Sequence, residues 1–284
     1  MGEAASPDRL SAVAPSGAWR TVTDPSDPDL EPFRRLTDAQ WRRRTEADTG
    51  LCIAESLQVV ERVLSTCPEA VRVVVATAPA AERLRAALLG AGATVLVTEA
   101  GVLADVAGFP VHCGVLAAVA RPAPLDPGAL VAGARRLAVL EDLNDQANLG
   151  TLFRSASALG IDAVLLSPRC ADPLYRRSVR TSMGEVFRLP WARLEQWPAD
   201  LGLVRDGGFT LVGLSPSGTV PPQRPDPEER VALLVGSEGE GLTPGALGAC
   251  DRLVRIPMRP GVDSLNVAAA AAAAFATYGL VEER

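Results

Sequence analysis

From Arg136 onward the chain repeats one pattern: a short apolar run, a helical stretch, then another apolar run. The runs are Arg136–Leu140, Ala163–Ser167, Thr210–Leu214, Val231–Val235 and Leu253–Ile256. Each is too short for a helix and apolar on both faces, the pattern of a strand in a parallel sheet covered on both sides. Helices are expected at Leu149–Leu159 and Pro173–Thr181, with an alanine-rich one at Val267–Tyr278. The first half alternates on a smaller scale. Arg42–Val63 reads as a helix with a strand-like stretch, Leu51–Ala54, near its start. Val71–Ala76, Thr94–Thr98 and Val115–Ala120 read as strands, and Ala80–Leu89 as a helix closed by Gly90 and Gly92.

These alternations predict an α/β protein of two domains. Residues 1–29, Pro/Asp-rich from Asp24 to Pro32, are expected to be disordered or extended, and residues 30–120 to form a small α/β domain. Residues 121–134, with three prolines and two glycines in Arg121–Gly133, read as a linker, and residues 135–284 as the second domain.

Composition narrows the function classes. All 28 basic residues are Arg, against 34 acidic ones, for a net charge of −6. This argues against a protein that coats nucleic acid by bulk charge. A local basic patch remains compatible with nucleic acid, because screening confines the relevant charge to about 8–10 Å. The five cysteines (52, 67, 113, 170 and 250) are scattered without a C-x-x-C pair, and His112 is the only histidine. Free thiols are expected, with no zinc site and no disulfide framework. The start carries no signal-like apolar stretch, and Val267–Ala276 falls short of the roughly 20 residues a membrane span needs. The expectation is a cytoplasmic protein with no membrane segment.

Ligands of α/β sheets bind beyond the carboxyl ends of strands, so the loops there matter first. Three stand out. Leu140–Gly150 (LEDLNDQANLG) is followed by Arg154, Gly236–Leu242 reads GSEGEGL, and Pro257-Met258 precedes Ser264-Leu265-Asn266-Val267. Taken singly, each has an ordinary explanation. Asn148 reads equally well as a helix N-cap, Arg154 as a solvated helix residue, the glycine loop as a turn, and Ser264 as the cap of the last helix. The glycine loop has neither the G-x-G-x-x-G order of a dinucleotide site nor the Lys-Ser/Thr of a P-loop, which speaks against an oxidoreductase.

Together and in this order, Asn148…Arg154, GSEGEGL and IPM…SLNV closely resemble the SpoU/TrmH branch of the SPOUT methyltransferases, over Arg136–Leu280. Ile53-Ala54-Glu55 and Gly114-Val115-Leu116-Ala117 resemble the short signatures of the ribosomal-protein-like RNA-binding domain that often precedes it. Ser56 stands where those relatives usually have Gly.

The resemblance implies a parallel α/β catalytic domain with a deep trefoil knot, a homodimer, and S-adenosylmethionine as methyl donor without a metal. It implies cofactor contacts from Gly213, Leu214, Gly236, Ser237, Gly239, Ile256, Met258 and Leu265. The polar catalytic set carries over to Asn148, Arg154, Glu238, Ser264 and Asn266. Arg154, which cannot accept a proton at neutral pH, is expected to bind a phosphate and polarise the hydroxyl. Glu238 is expected to orient Asn148 or its own loop. Arg169, Arg176, Arg177, Arg180, Arg188 and Arg193 would form an RNA track facing only Asp172 and Glu185 as acids, with Tyr175 stacking on a base. The implied activity is methylation of a ribose 2′-hydroxyl, first in 23S rRNA, with tRNA the second substrate class. Relatives of this architecture include both antibiotic-resistance and housekeeping enzymes. A non-catalytic RNA-binding relative is the rival, disfavoured by the intact polar set.

Overall fold

The computed structural model describes residues 18–38, 49–262 and 264–280. Its elements run β1 (Trp19–Thr21), β2 (Leu51–Glu55), α1 (Leu57–Thr66), β3 (Val71–Ala76), α2 (Ala78–Arg83), α3 (Arg85–Ala91), β4 (Thr94–Val97), α4 (Ala100–Ala107) and β5 (Val115–Ala120). There follow α5 (Pro127–Gly133), β6 (Arg136–Leu140), α6 (Gln146–Ala158), β7 (Ala163–Leu166), α7 (Arg176–Thr181), β8 (Trp191–Arg193), α8 (Leu201–Asp206), β9 (Phe209–Leu214), β10 (Arg230–Val235), α9 (Pro244–Ala249), β11 (Arg252–Val254) and α10 (Val267–Tyr278). They gather into two compact units, residues 1–122 with 174–187, and residues 123–173 with 188–284.

The first unit is a five-stranded mixed sheet in the order β1-β4-β3-β5-β2. β1, β4 and β3 run parallel, and β5 is antiparallel to both β3 and β2. Of residues 1–29, expected to be disordered or extended, residues 1–17 lie outside the described residues, and residues 18–29 are packed onto the sheet. β1 pairs with β4, and a 3-10 turn at Pro28–Phe33 buries Leu30 and Phe33 in the core beside Val73 and Leu116. The reason is a charge cluster: Arg20 donates to Asp27 at 2.6 and 2.7 Å and to Asp29 at 2.6 Å. Those bonds hold the Asp27 carboxyl below the usual carboxylate range. Composition reads as disorder where specific pairing makes order.

The expected helix Arg42–Val63 resolves into β2 and α1; its residues 42–48 lie outside the described residues. Between β2 and α1, Ser56 has φ 98°, a backbone region suited to glycine. Its side chain partly offsets that strain by accepting from the Val59 amide to cap α1. The helix expected over Ala80–Leu89 divides at Leu84 into α2 and α3, and left-handed Gly92 closes α3.

The second unit is a six-stranded sheet, parallel throughout, in the order β11-β9-β10-β6-β7-β8. Its strands are buried along almost their whole length, as continuous apolar runs require when both faces are covered. The presumed linker holds a helix. Asp126 accepts from the amides of Gly128 and Ala129, Pro127 opens α5, and Val131 packs into the core with Val204 and Leu234. An Asp-Pro pair punctuates the chain in both a linker and a helix start, and burial of Val131 decides for the helix. Arg136, wholly buried, donates from Nε to the Tyr278 carbonyl at 2.6 Å and thereby ties the end of α10 to the start of β6.

One segment departs from the expected domain boundary. Residues 174–187 belong with the first unit although they lie between β7 and β8. Arg176 on α7 pairs with Glu55 at 2.8 Å, and Arg62 pairs with Glu185 at 2.5 Å and donates to the Met183 carbonyl at 2.8 Å.

Candidate active site

In the second sheet the chain builds outward from β6 in two directions, to β7 and β8 on one side and to β10, β9 and β11 on the other. The loops after β6 and β10 therefore diverge at a switch point, where a crevice opens beyond the strand ends. Both carry polar residues singled out in the sequence.

After β10 the chain turns back on itself. The Ser237 amide donates to the Gly241 carbonyl, and the Gly241 amide to the Ser237 carbonyl, both at 3.1 Å. A Cβ on Gly236 would lie 2.1 Å from the Gly241 carbonyl carbon, so only glycine permits this closure. The closed loop presents Glu238.

After β6, Asp145 caps α6 by accepting from the Asn148 amide at 2.8 Å. Asn148 is therefore not the cap, and its side chain is free for other partners. At the third loop it is Asn266, not Ser264, that caps α10, its Oδ1 accepting from Ala268 and Ala269 at 3.0 and 3.3 Å. The three side chains meet. Asn148 donates from Nδ2 to Glu238 Oε1, and Asn266 Nδ2 donates to Asn148 Oδ1 at 3.0 Å and to Glu238 Oε1 at 3.4 Å. Residues 118 positions apart in sequence thus share one hydrogen-bonded cluster.

This cluster stands between two cavities. One, about 400 Å³, is largely apolar and is lined by Leu214, Gly236, Ser237, Gly239, Ile256, Met258 and Leu265, together with Glu238, Ser264 and Asn266. The other, about 550 Å³ and mostly polar, is lined by Asp142, Asn144, Asp145, Asn148, Arg169 and Glu240, and shares Ser237 and Glu238 with the first. An apolar cavity of a few hundred Å³ with a few convergent polar groups is the usual form of a small-molecule site.

Other expected residues lie elsewhere. Gly213 does not line the cavity; a Cβ there would meet Cys250 Sγ at 2.7 Å and Leu253 at 2.8 Å, so its role is close packing beside it. Arg154 is exposed on α6 and lines neither cavity. Six residues after Asn148, it lies about 120° around the helix from it. In the first unit, Tyr175 is only 7% exposed, so its ring is not presented for stacking. Arg176 is held by Glu55 and lies 4.6 Å from the Phe109 ring centre. Arg177 and Arg180 are exposed, with Arg180 3.6 Å from Glu55. Glu55, absent from the expected acids of the RNA track, thus pairs with two of its arginines, and in the second unit Asp142, also not expected, pairs with Arg169. In the second unit Arg193 is structural, donating to the carbonyls of Ser167, Pro168 and Cys170 at 2.9–3.0 Å.

Glu141 was not singled out in the sequence. It is 1% exposed and accepts from the Trp197 indole, the Thr243 amide at 2.9 Å and the Thr243 hydroxyl at 2.7 Å. It thereby anchors the chain just after Leu242 to the end of β6. Only its place directly before the Asp142–Asn148 loop hinted at this. Arg255, Ser215 and Pro216 also line the apolar cavity without having been expected there. The five cysteines are free, and burial pushes the Cys250 thiol up to about 11. No group of ligating side chains suited to a metal occurs among the described residues, and no helix there is long and apolar enough to cross a membrane.

Comparison with known proteins identifies the family. The model of the SpoU rRNA methylase family matches residues 135–276. An uncharacterized tRNA/rRNA methyltransferase of Mycobacterium tuberculosis is 45% identical over 259 residues, 89% of each chain. The 23S rRNA (guanosine(2553)-2′-O)-methyltransferase of Bacillus subtilis is 33% identical over 146 residues, 51% of this chain and 58% of that one. Among solved structures, the AdoMet-bound rRNA methyltransferase of Sinorhizobium meliloti superposes with a TM-score of 0.76 at 26% identity, covering 90% of this chain and 96% of that one. The SpoU methyltransferase AviRb of Streptomyces viridochromogenes gives 0.72 at 25%, covering 88% and 95%.

Fold and site thus define an RNA methyltransferase of the SPOUT type with an additional N-terminal domain. The chain belongs to the SpoU rRNA methylase family, and its methyl donor is S-adenosylmethionine. The apolar cavity fits that group: Gly236, Gly239 and Gly241 line it without side chains, while Ile256, Met258 and Leu265 supply apolar walls.

Proposed function

We propose that this protein methylates a ribose 2′-hydroxyl, with 23S rRNA the first substrate to test and tRNA the second. One observation carries the reading: Asn148, Glu238 and Asn266 are joined at the wall shared by a cofactor-sized apolar cavity and an open polar one. Such a wall is where a methyl donor and an acceptor meet. The activity named for the Bacillus subtilis relative supports both the 2′-oxygen and the ribosomal target.

When bound, the cofactor supplies an electrophilic methyl group on a sulfonium. The chain's own task is to hold the 2′-oxygen in line with that group and to assist loss of the hydroxyl proton. Asn148 and Asn266 position the ribose, and Ser264 lies on the same cavity wall. Glu238 already accepts from both amides at Oε1, which suits a positioning role better than that of a base. Arg154, always protonated, binds the neighbouring phosphate and polarises the hydroxyl, and the proton leaves through phosphate or water. Because Arg154 lines neither cavity of its own chain, it serves the site of a second copy, and the working form is a homodimer. The C-terminal segment threads the family's trefoil knot, consistent with α10 returning to Arg136. The first unit binds RNA, with Arg177 and Arg180 exposed for phosphate contact, and the enzyme works in the cytoplasm where its RNA resides.

The test is incubation with tritiated S-adenosylmethionine and, separately, unmodified total rRNA and tRNA. Label in rRNA at one position that resists alkaline cleavage is the expected result. Label only in tRNA changes the substrate, and label on a base overturns the 2′-hydroxyl. Cofactor binding without transfer to either RNA or to ribosomal particles overturns the catalytic reading.

A further inference from the structure

Of the described residues lining the apolar cavity, Arg255 is the only cation, and Glu238 the only anion. Glu238 is engaged by Asn148 and Asn266. Arg255 is exposed, and no acceptor among the described residues holds its guanidinium. Its backbone, by contrast, is fixed on both sides. The Arg255 amide donates to the Val220 carbonyl at 2.9 Å, and the Ser215 amide to the Val254 carbonyl at 3.0 Å. Gly218 lies so close that a Cβ would sit 2.4 Å from the Val254 carbonyl carbon. A cationic residue is thus held by fixed backbone at the lining of a cavity whose other described lining residues are apolar or neutral apart from Glu238.

S-adenosylmethionine has one anionic group, the carboxylate of its methionine portion. We propose that Arg255 binds that carboxylate and so sets the direction of the cofactor in the cavity, carboxylate towards Arg255 and sulfonium towards the Asn148–Glu238–Asn266 cluster. The charges favour this direction. A carboxylate beside Glu238 would be repelled, and the positive sulfonium beside it is attracted. The planar fork of Arg meets a carboxylate through two parallel hydrogen bonds, which Lys cannot reproduce. A binding residue of this kind is invisible in the motif pattern, because Arg255 stands just outside the IPM run.

The inference is tested by calorimetry without RNA, comparing S-adenosylmethionine with its decarboxylated form, which keeps the sulfonium and the amine. The wild-type protein is expected to bind the complete cofactor about ten- to a hundredfold more tightly. Arg255→Ala should erase that preference while leaving affinity for the decarboxylated form within about threefold of wild type. Arg255→Lys should restore only part of it. Unchanged affinity for the decarboxylated form also shows that the variant is folded. A preference that survives in Arg255→Ala overturns the proposal, as does loss of affinity for both ligands alike. Wild-type binding of neither ligand instead removes the cofactor reading on which the proposal rests. If cofactor binding by Arg255→Ala is unchanged and a separate RNA titration shows weaker RNA binding, the guanidinium serves a phosphate and the carboxylate assignment is overturned.

Discussion

At the scale of single residues, Asn266 combines a helix cap with a place in the polar cluster. Its Oδ1 caps α10, and its Nδ2 donates to Asn148 and Glu238. The two roles are separable by substitution. Asn266→Ala should lose the cap, at about 1 kcal/mol, together with the polar contacts. Asn266→Ser should recover most of the stability, since Ser caps well, yet remain at least tenfold impaired in methyl transfer, having no second donor. Thermal melting and initial rates on the same samples test this; a Ser variant as active as the wild type would leave capping as the only role. The Asn266 assignment also shows what residue types alone convey. That Asn148, Glu238 and Asn266 are polar at unusual positions was legible in the sequence. Which of Ser264 and Asn266 caps the helix was not, because both residue types cap and only backbone position distinguishes them.

At the scale of elements, the two loops that build the site hang from one buried carboxylate. Glu141 at the end of β6 accepts three hydrogen bonds from Trp197 and Thr243, and Thr243 in turn caps α9 just after the glycine loop. Replacing Glu141 by Gln puts an amide donor where all the partners are donors. We expect a loss of about 2–3 kcal/mol in urea unfolding. Weaker cofactor binding should accompany it, because the 236–242 loop loses its anchor. An unchanged unfolding midpoint would show that the network contributes little. Strands and the long helices were largely readable at this scale: β3, β5 and α10 have the boundaries expected from apolar patterning. The short elements β1, β8, α5, α8 and α9 were not. Each has six or seven residues or fewer and is stabilised by its neighbours rather than by its own periodicity.

At the scale of the whole molecule, the position of Arg154 outside both cavities carries the strongest consequence. If it completes the site of a second copy, two inactive variants should complement each other. Mixing Arg154→Ala with Asn148→Ala after dissociation and reassociation should restore about a quarter of wild-type activity, since half the dimers are mixed and each has one complete site. No recovery, with mixed dimers demonstrated by mass spectrometry, would place Arg154 in the site of its own chain.

What the sequence by itself determined was the parallel α/β architecture of the second half, the family, and the three loops whose residues line the two cavities. These follow from local patterning and from motifs, both of which are written in consecutive residues. The tertiary structure decided what depends on distant partners. It ordered the acidic start through Arg20, turned the apparent linker into α5, and assigned residues 174–187 to the first unit through Glu55 and Arg62. It also buried Tyr175, exposed Arg154, and placed Arg255 at the lining of the apolar cavity. The physical reason is common to all of these. A charge or a ring takes its role from what it is packed against, and the chain separates those partners by tens to hundreds of residues.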